Sequence, residues 1–224
     1  MYSYAWSEGL ACLFFFKYAS SLDNITSLEY QYILKEAEEE CRHQQMFSMA
    51  IRKLEVEPIQ PRLLHRFAAW FATRLLPPDI MFMSVMAIEL VTDVYGRELV
   101  KQANIYPVLS KISELHSIEE VRHIYFTQLL LERYTKNAGL LRRTTYSIVI
   151  CLNIYFMRTL YVRKEIFEKI GLDPKIYYKS AYNGLKDKFS EHCLEKATKF
   201  VNEWNGFNFF TKMIWRKLLG AKFK

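Results

Sequence analysis

One five-residue word occurs twice in this chain, as Glu39-Glu40-Cys41-Arg42-His43 and as Glu119-Glu120-Val121-Arg122-His123. Both copies read E-E-x-R-H, and they begin 80 residues apart. Each follows another carboxylate set in an apolar run: Glu8 lies 32 residues before Glu40, and Glu89 lies 31 residues before Glu120. One carboxylate from each of two helices, with Glu-x-x-His from each of two more, is the ligand set of a dimetal site in the core of a helical bundle.

The spacing has a geometric reason. An α-helix repeats every 3.6 residues, so Glu40 and His43 share a face one turn apart, as do Glu120 and His123. Two such helices packed at bundle distance bring two carboxylates and two imidazoles together. Glu8 and Glu89, each from an antiparallel neighbour, complete a six-ligand box. A single Glu-x-x-His says little, because an exposed acidic–basic helix face produces the same letters. Two copies with matched upstream acids say much more. Phe14, Phe15 and Phe16 follow Glu8, and Met81-Phe-Met-Ser-Val-Met-Ala-Ile precedes Glu89. An acid in such surroundings is costly unless it is paired or metal-bound.

The two halves differ in one letter. His116 precedes Glu120 by four residues, giving His116-x3-Glu120-x2-His123 on one helix face. It is a candidate seventh ligand, against the plainer reading of a polar histidine that touches no metal. Glu39 and Glu119 are placed to accept the free N–H of a ligand histidine on the paired helix, which fixes its tautomer and raises its basicity. Arg42 and Arg122 are placed to pair with those acids and limit buried negative charge. Asp93, one turn beyond Glu89, is a further candidate supporting acid.

The rest of the chain reads as helical cover. Seven Gly and six Pro are few for 224 residues, so loops are few and elements long. Apolar spacing predicts helices at about Tyr4–Ser20, Ser27–Leu54, Arg62–Leu75, Asp79–Ala103 and Pro107–Tyr134. Asp23-Asn24 supplies a turn and a cap for the second of these. Further helices are expected at about Leu141–Ile170, Lys175–Gly184 and Lys186–Phe210. No linker of biased composition appears, so residues 1–224 read as one domain: a metal-ligand bundle at about 4–134 and cover helices at about 141–224.

The charge is lopsided. Residues 160–224 hold 14 Lys+Arg and 7 Asp+Glu, and so carry the whole net charge of +7. The last 13 residues hold five bases and no acid. A cover helix with a solvated basic face accounts for this more simply than an acidic or membrane partner. No nucleic-acid signature is present. The longest apolar stretch, about Tyr146–Val162, is interrupted by Asn153 and Arg158, so a buried helix is expected rather than a membrane span. Cys12, Cys41, Cys151 and Cys193 are far apart in sequence and form no C-x-x-C, which suits a reducing cytoplasm without a disulfide framework.

With these residues in place, the chain resembles the p-aminobenzoate N-oxygenase family of the ferritin-like superfamily. The resemblance rests on Glu8, Glu40-x-x-His43, Glu89 and His116-x3-Glu120-x2-His123, and covers about Glu8 to Tyr134. The third histidine separates that family from ordinary ferritin-like diiron proteins. The resemblance implies an all-α fold: a ferritin-like four-helix bundle core with additional C-terminal cover helices. It implies two iron ions that activate O2 and oxygenate an aryl amine nitrogen. Ligand type equally permits a manganese–iron pair. The family has a helical region before the first ligand carboxylate. Glu8 stands almost at the start here, which implies a trimmed bundle or an upstream start.

No flavin or nicotinamide fingerprint is present, so electrons are expected from an external ferredoxin or reductase. A homodimer fits this class. Asn153 and Arg158 are candidate substrate contacts, with Arg158 as an anion holder or, more plainly, a helix-edge Arg reaching water. Tyr95 and Tyr125 lie near the ligands in sequence and are expected to be buried aromatics with satisfied hydroxyls. His65 and His192 lack ligand-spaced partners and read as surface or interface histidines. Two other readings stand beside the N-oxygenase: another ferritin-like diiron hydroxylase or oxidase, and a non-catalytic metal-handling protein with a storage or structural site.

Overall fold

A computed structural model describes residues 2–55, 57–101 and 106–223, without the side chains of 182 and 184–191. The described residues form nine helices and no strand: α1 Tyr2–Ala19, α2 Leu28–Lys53, α3 Leu63–Leu75, α4 Pro78–Val100, α5 Pro107–Thr135, α6 Leu140–Tyr161, α7 Lys164–Lys169, α8 Pro174–Glu203 and α9 Phe209–Leu219. The chain folds as the all-α ferritin-like bundle that the spacing and the resemblance imply.

Two helix pairs make the bundle. α1 packs most extensively on α2, and α4 on α5; contacts of α1 with α4 and of α2 with α5 join the pairs. α4 is the central element. Nearly every residue from Met81 to Val94 is buried, because α6 and α8 cover the side that α1 and α5 do not. A helix apolar all round belongs in such a position. Two glycines leave room near the site for polar side chains of the facing helix. A Cβ on Gly9 would lie 2.0 Å from Gln44 of α2, and one on Gly96 would lie 2.9 Å from Ser117 of α5.

The helix ends follow local chemistry, with some corrections to expectation. Ser27, not Asp23 or Asn24, caps α2: its hydroxyl accepts from the Tyr30 amide at 3.1 Å. Asn24 shapes the preceding turn by accepting from the amide and hydroxyl of Thr26. Pro78 and Pro107 occupy the first turns of α4 and α5, where a missing N–H costs nothing. The expected end of α4 at Ala103 lies outside the described residues.

The helix expected to run to Ile170 stops at Tyr161. Val162 and Arg163 are extended, and the buried Arg163 donates to the Gln60 carbonyl at 2.7 Å, so it secures the segment after α2. Conversely, the helices expected at about Lys175–Gly184 and Lys186–Phe210 are one helix, α8, which runs through Gly184 and ends at Glu203, short of Phe210. A helical glycine costs only about 1 kcal/mol. The buried Cys193, Leu194, Ala197, Phe200 and Val201, packed in the main core, outweigh it. The break comes at Asn205, with φ 53°, and Gly206, because an Asn-Gly pair readily adopts turn conformations.

The basic C-terminal stretch forms α9, which packs mainly on α6 and also on α8. Trp215 is fully buried and its indole N–H donates to the Ser147 carbonyl at 3.0 Å. Lys212 and Arg216 both lie over the Phe223 ring. Leu140–Lys169 is the one described stretch long and apolar enough to cross a bilayer, and half of its most apolar 18 residues are buried inside the protein.

Candidate metal centre

The seven predicted ligands converge on one point in the bundle core. Glu8 comes from α1, Glu40 and His43 from α2, Glu89 from α4, and His116, Glu120 and His123 from α5; all are at most 1% exposed. Their ligating atoms form two clusters, each within 4.8 Å throughout. Glu8, His43, His116 and Glu120 make one; Glu40, Glu89, Glu120 and His123 make the other. Glu120 belongs to both, so its carboxylate would be available to a metal ion at either position. His116 Nε2 lies 2.9 Å from Glu120 and 3.2 Å from Glu8, so the third histidine faces the first cluster.

The hydrogen bonding tests whether these groups suit a metal. All eight carboxylate oxygens of Glu8, Glu40, Glu89 and Glu120 are buried and make no hydrogen bond of proper geometry, although ligand histidines lie within ion-pair distance of Glu8, Glu40 and Glu120. The same is true of His43 Nδ1, His116 Nε2 and His123 Nδ1. Each of those histidines has its other nitrogen occupied. Buried polar atoms are normally satisfied, and an unpaired buried carboxylate is costly. Eleven orphaned atoms that all point inward are what a pair of cations would satisfy. The donor set of carboxylate oxygen and imidazole nitrogen suits iron or manganese.

The outer nitrogens are held by an exchange between α2 and α5. His43 Nε2 meets Glu119 at 2.7 Å, and Arg42 donates to the same Glu119 at 2.7 Å. His123 Nε2 meets Glu39 at 3.0 Å, and Arg122 donates to both oxygens of Glu39 at 2.9 Å. The first Glu of each repeated word thus serves the His and Arg of the other. A histidine that ligates through Nδ1 must carry its proton on Nε2, and an ionised acceptor there fixes that tautomer. His116 is held differently. Its Nδ1 lies 3.4 Å from the Tyr4 hydroxyl, which itself donates to the Thr92 carbonyl at 2.6 Å.

Charge at the site follows from burial and neighbours. Burial, with the charges of Glu40 and Glu8, pushes the Glu89 carboxyl up to about 7. Burial and the adjacent Glu89 hold Glu120 well above the carboxylate range. Burial works to lower His43, but Glu40 and Glu8 outweigh it and raise it to about 10. Glu39, bonded to His123 and Arg122, is pulled down to about 2. Without metal, the site therefore retains protons where ligand lone pairs are needed.

Two participants had escaped sequence reasoning. Glu36 is buried, one turn before Glu40, and its Oε2 lies 3.1 Å from His123 Nε2. With Glu39 and His123 it forms a third cluster of ligand-type atoms. That cluster uses the outer nitrogen of His123 and shares Glu39 with Arg122, so it supports the centre rather than adding a metal. Tyr4 is the other. Its signal is its place one turn before Glu8, as Glu36 stands one turn before Glu40.

Several candidates lie elsewhere. Asp93 is buried, but its oxygens engage Arg97 at 2.6 Å and Lys196 at 2.8 Å, which ties α8 to α4 rather than orienting a ligand. Asn153 donates to Ser84 and to the Val149 carbonyl, bridging α6 to α4. Arg158 is buried, not a water-facing edge Arg, and donates to the Leu218 carbonyl of α9. Tyr125 is 62% exposed, so it is no buried aromatic. Its place on α5, two residues past His123, turns it away from the ligand face. His65 is buried between α3 and α6, with Nε2 3.2 Å from the Thr159 hydroxyl, while His192 is exposed.

Beside the centre is a cavity of about 350 Å³ whose lining includes Tyr4, Tyr95, Tyr161, Ile59, Ile166 and Ile170. Tyr95 stacks on Tyr161 at 5.3 Å, and Tyr161 on Tyr4 at 5.9 Å. Tyr4 stands between this space and His116. Neither Asn153 nor Arg158 lines it.

Residues 6–203 match the p-aminobenzoate N-oxygenase AurF family. The chain belongs to this family. AurF-family membership thus extends beyond the ligand bundle and through α8, further than the residues of the site alone indicated. Curated relatives include uncharacterised proteins of Mycobacterium bovis and Mycobacterium tuberculosis, each 26% identical over 160 residues. That alignment takes in 68% of this chain and 43% of each relative, so the chain spans less than half of their length. No solved structure matches it.

Proposed function

We propose that this AurF-family chain is an O2-dependent diiron oxygenase that places one oxygen atom on the nitrogen of an aromatic amine. The observation that carries the reading is His116. It is the third imidazole of the centre and the second of the Glu8 cluster, with its outer nitrogen held by Tyr4, where an ordinary four-Glu, two-His box has none.

Two iron ions held by the seven ligands would supply O2 activation. The protein's own residues do the rest. Glu39 and Glu119 hold the Nε2 protons of His123 and His43, which turns their Nδ1 atoms toward the metal positions. The apolar walls of α1 and α4, with Phe14, Phe15, Phe82 and Met86 fully buried, exclude water. The tyrosine-lined cavity offers flat surfaces on which an aromatic ring stacks, at separations that favour offset or edge contacts. Taking an amine to a hydroxylamine uses one atom of O2, sends the other to water, and consumes two electrons and two protons. The electrons come from an external donor such as a ferredoxin or reductase.

The test is direct. Protein loaded anaerobically with Fe(II) is supplied with O2, a chemical reductant and a panel of aryl amines. The expected product is a hydroxylamine or nitro compound bearing isotope from labelled O2, and a His116→Ala variant that still binds metal should lose it. Iron oxidation with no labelled product from any amine would favour a metal-handling protein instead.

A further inference from the structure

The four cysteines are dispersed in sequence, but the fold brings two together. Cys12 Sγ of α1 and Cys41 Sγ of α2 lie 3.3 Å apart. A disulfide requires about 2.05 Å, so the sulfurs need close by little more than an ångström. Cys151 and Cys193 are buried, and no sulfur–sulfur contact of theirs appears among the described residues. The pair also has a direction of access: Cys12 is buried and Cys41 is half-buried, so an oxidant reaches Cys41 first. Its location gives a bond there a consequence. Cys12 is one turn beyond Glu8, and Cys41 sits between Glu40 and His43 in the repeated word. A bond between them ties the helix that carries Glu8 to the helix that carries Glu40 and His43.

We propose that Cys12 and Cys41 form a reversible disulfide, made by hydrogen peroxide, that locks α1 onto α2 at the metal site. The Cys41 sulfur attacks one peroxide oxygen; an S–O bond forms, the O–O bond breaks, and the departing hydroxide leaves as water with the thiol proton. The Cys12 sulfur then attacks Cys41. The S–S bond forms, the S–O bond breaks, and a second water leaves with the Cys12 proton. Two thiols and one peroxide give one disulfide and two waters, with two electrons passing from sulfur to oxygen. A low-molecular-weight thiol reverses the bond by exchange. The proposal requires only the two sulfurs and the ligand helices, not the identity of any substrate.

The experiment uses the full chain. Metal-free protein is treated with a small excess of peroxide, and its free thiols are counted by alkylation. Four should fall to two. A non-reducing peptide map should show the Cys12 and Cys41 peptides joined and two hydrogens lighter, and dithiothreitol should separate them. Cross-linked and reduced samples are then loaded with Mn(II) and challenged with a chelator. The cross-linked form should release Mn(II) several-fold more slowly, whereas Cys12→Ser and Cys41→Ala should release it at the reduced rate with or without peroxide. Circular dichroism establishes that both variants keep their helices. Sulfinic acid on Cys41 beside a free Cys12, four thiols surviving, or equal release from both forms would each overturn the proposal.

Discussion

Glu120 is the residue on which the centre turns. Its carboxylate belongs to both clusters of ligand atoms, whereas Glu8, Glu40 and Glu89 each belong to one. Removing a shared bridge should empty both positions, while removing a terminal carboxylate weakens one. We expect Glu120→Ala to lower bound metal from about two ions per chain to less than one, and Glu8→Ala to leave about one. Metal analysis after anaerobic loading and desalting reads the difference, and equal losses would contradict the sharing. The same substitution should not unfold the metal-free protein. Burial and Glu89 already hold Glu120 protonated there, so truncation removes a costly buried acid rather than a stabilising charge.

At the scale of elements, the centre is held by a reciprocal lock between α2 and α5. Glu39 leaves α2 to hold His123 and Arg122; Glu119 leaves α5 to hold His43 and Arg42. Partners of this kind change metal affinity by roughly 10–100-fold when removed. Glu39→Gln should therefore weaken metal binding within about that range while the helix content stays unchanged, as a competition titration against a coloured chelator would show. An affinity within a factor of about two of the parent would mean that Glu36, also beside His123, suffices alone.

This lock is legible in the sequence, because the repeated word places each Glu beside a candidate ligand on a helix face of known pitch. So are the two bundle pairs and the seven converging side chains. What the sequence concealed depends on distance in space. Tyr4 and Glu36 matter through contacts with His116 and His123 across helices, and neither carries a motif of its own. Asn153 and Arg158 looked functional as polar breaks in an apolar run. They prove to serve packing, since a buried polar side chain finds a carbonyl or hydroxyl on a neighbouring helix as readily as a substrate. Gly184 looked like an end because local propensity could not register the core beneath α8.

For the whole molecule, the centre couples metal, protons and stability. Glu89 is raised from its ordinary value to about 7 in the fold, so the folded state holds that proton more tightly than the unfolded chain. The contribution is full below the ordinary carboxylate range and lost as pH rises through 7. His43, raised to about 10, contributes fully below its ordinary value near 6.5 and loses that contribution as pH climbs to 10. Glu39 has the opposite sign. Lowered to about 2, it stabilises above the ordinary carboxylate range and fails only as pH falls toward 2. The metal-free protein should therefore be most stable in mild acid, near about pH 5, and weaken steadily toward about pH 9. Metal ions take the place of those protons, so loading releases protons and apparent affinity rises with pH. A ligand that binds only the folded state stabilises it by RT ln(1 + [L]/Kd), so tighter binding at fixed ligand raises the melting temperature further. The melting temperature of the Mn(II)-loaded protein should exceed that of the metal-free protein at every pH, and the gap should widen between about pH 5 and pH 8. Scanning calorimetry of both forms across that range measures it. A gap that stays constant or narrows would mean that the buried carboxylates and imidazoles do not exchange protons for metal, and that the orphaned atoms at the core have another cause.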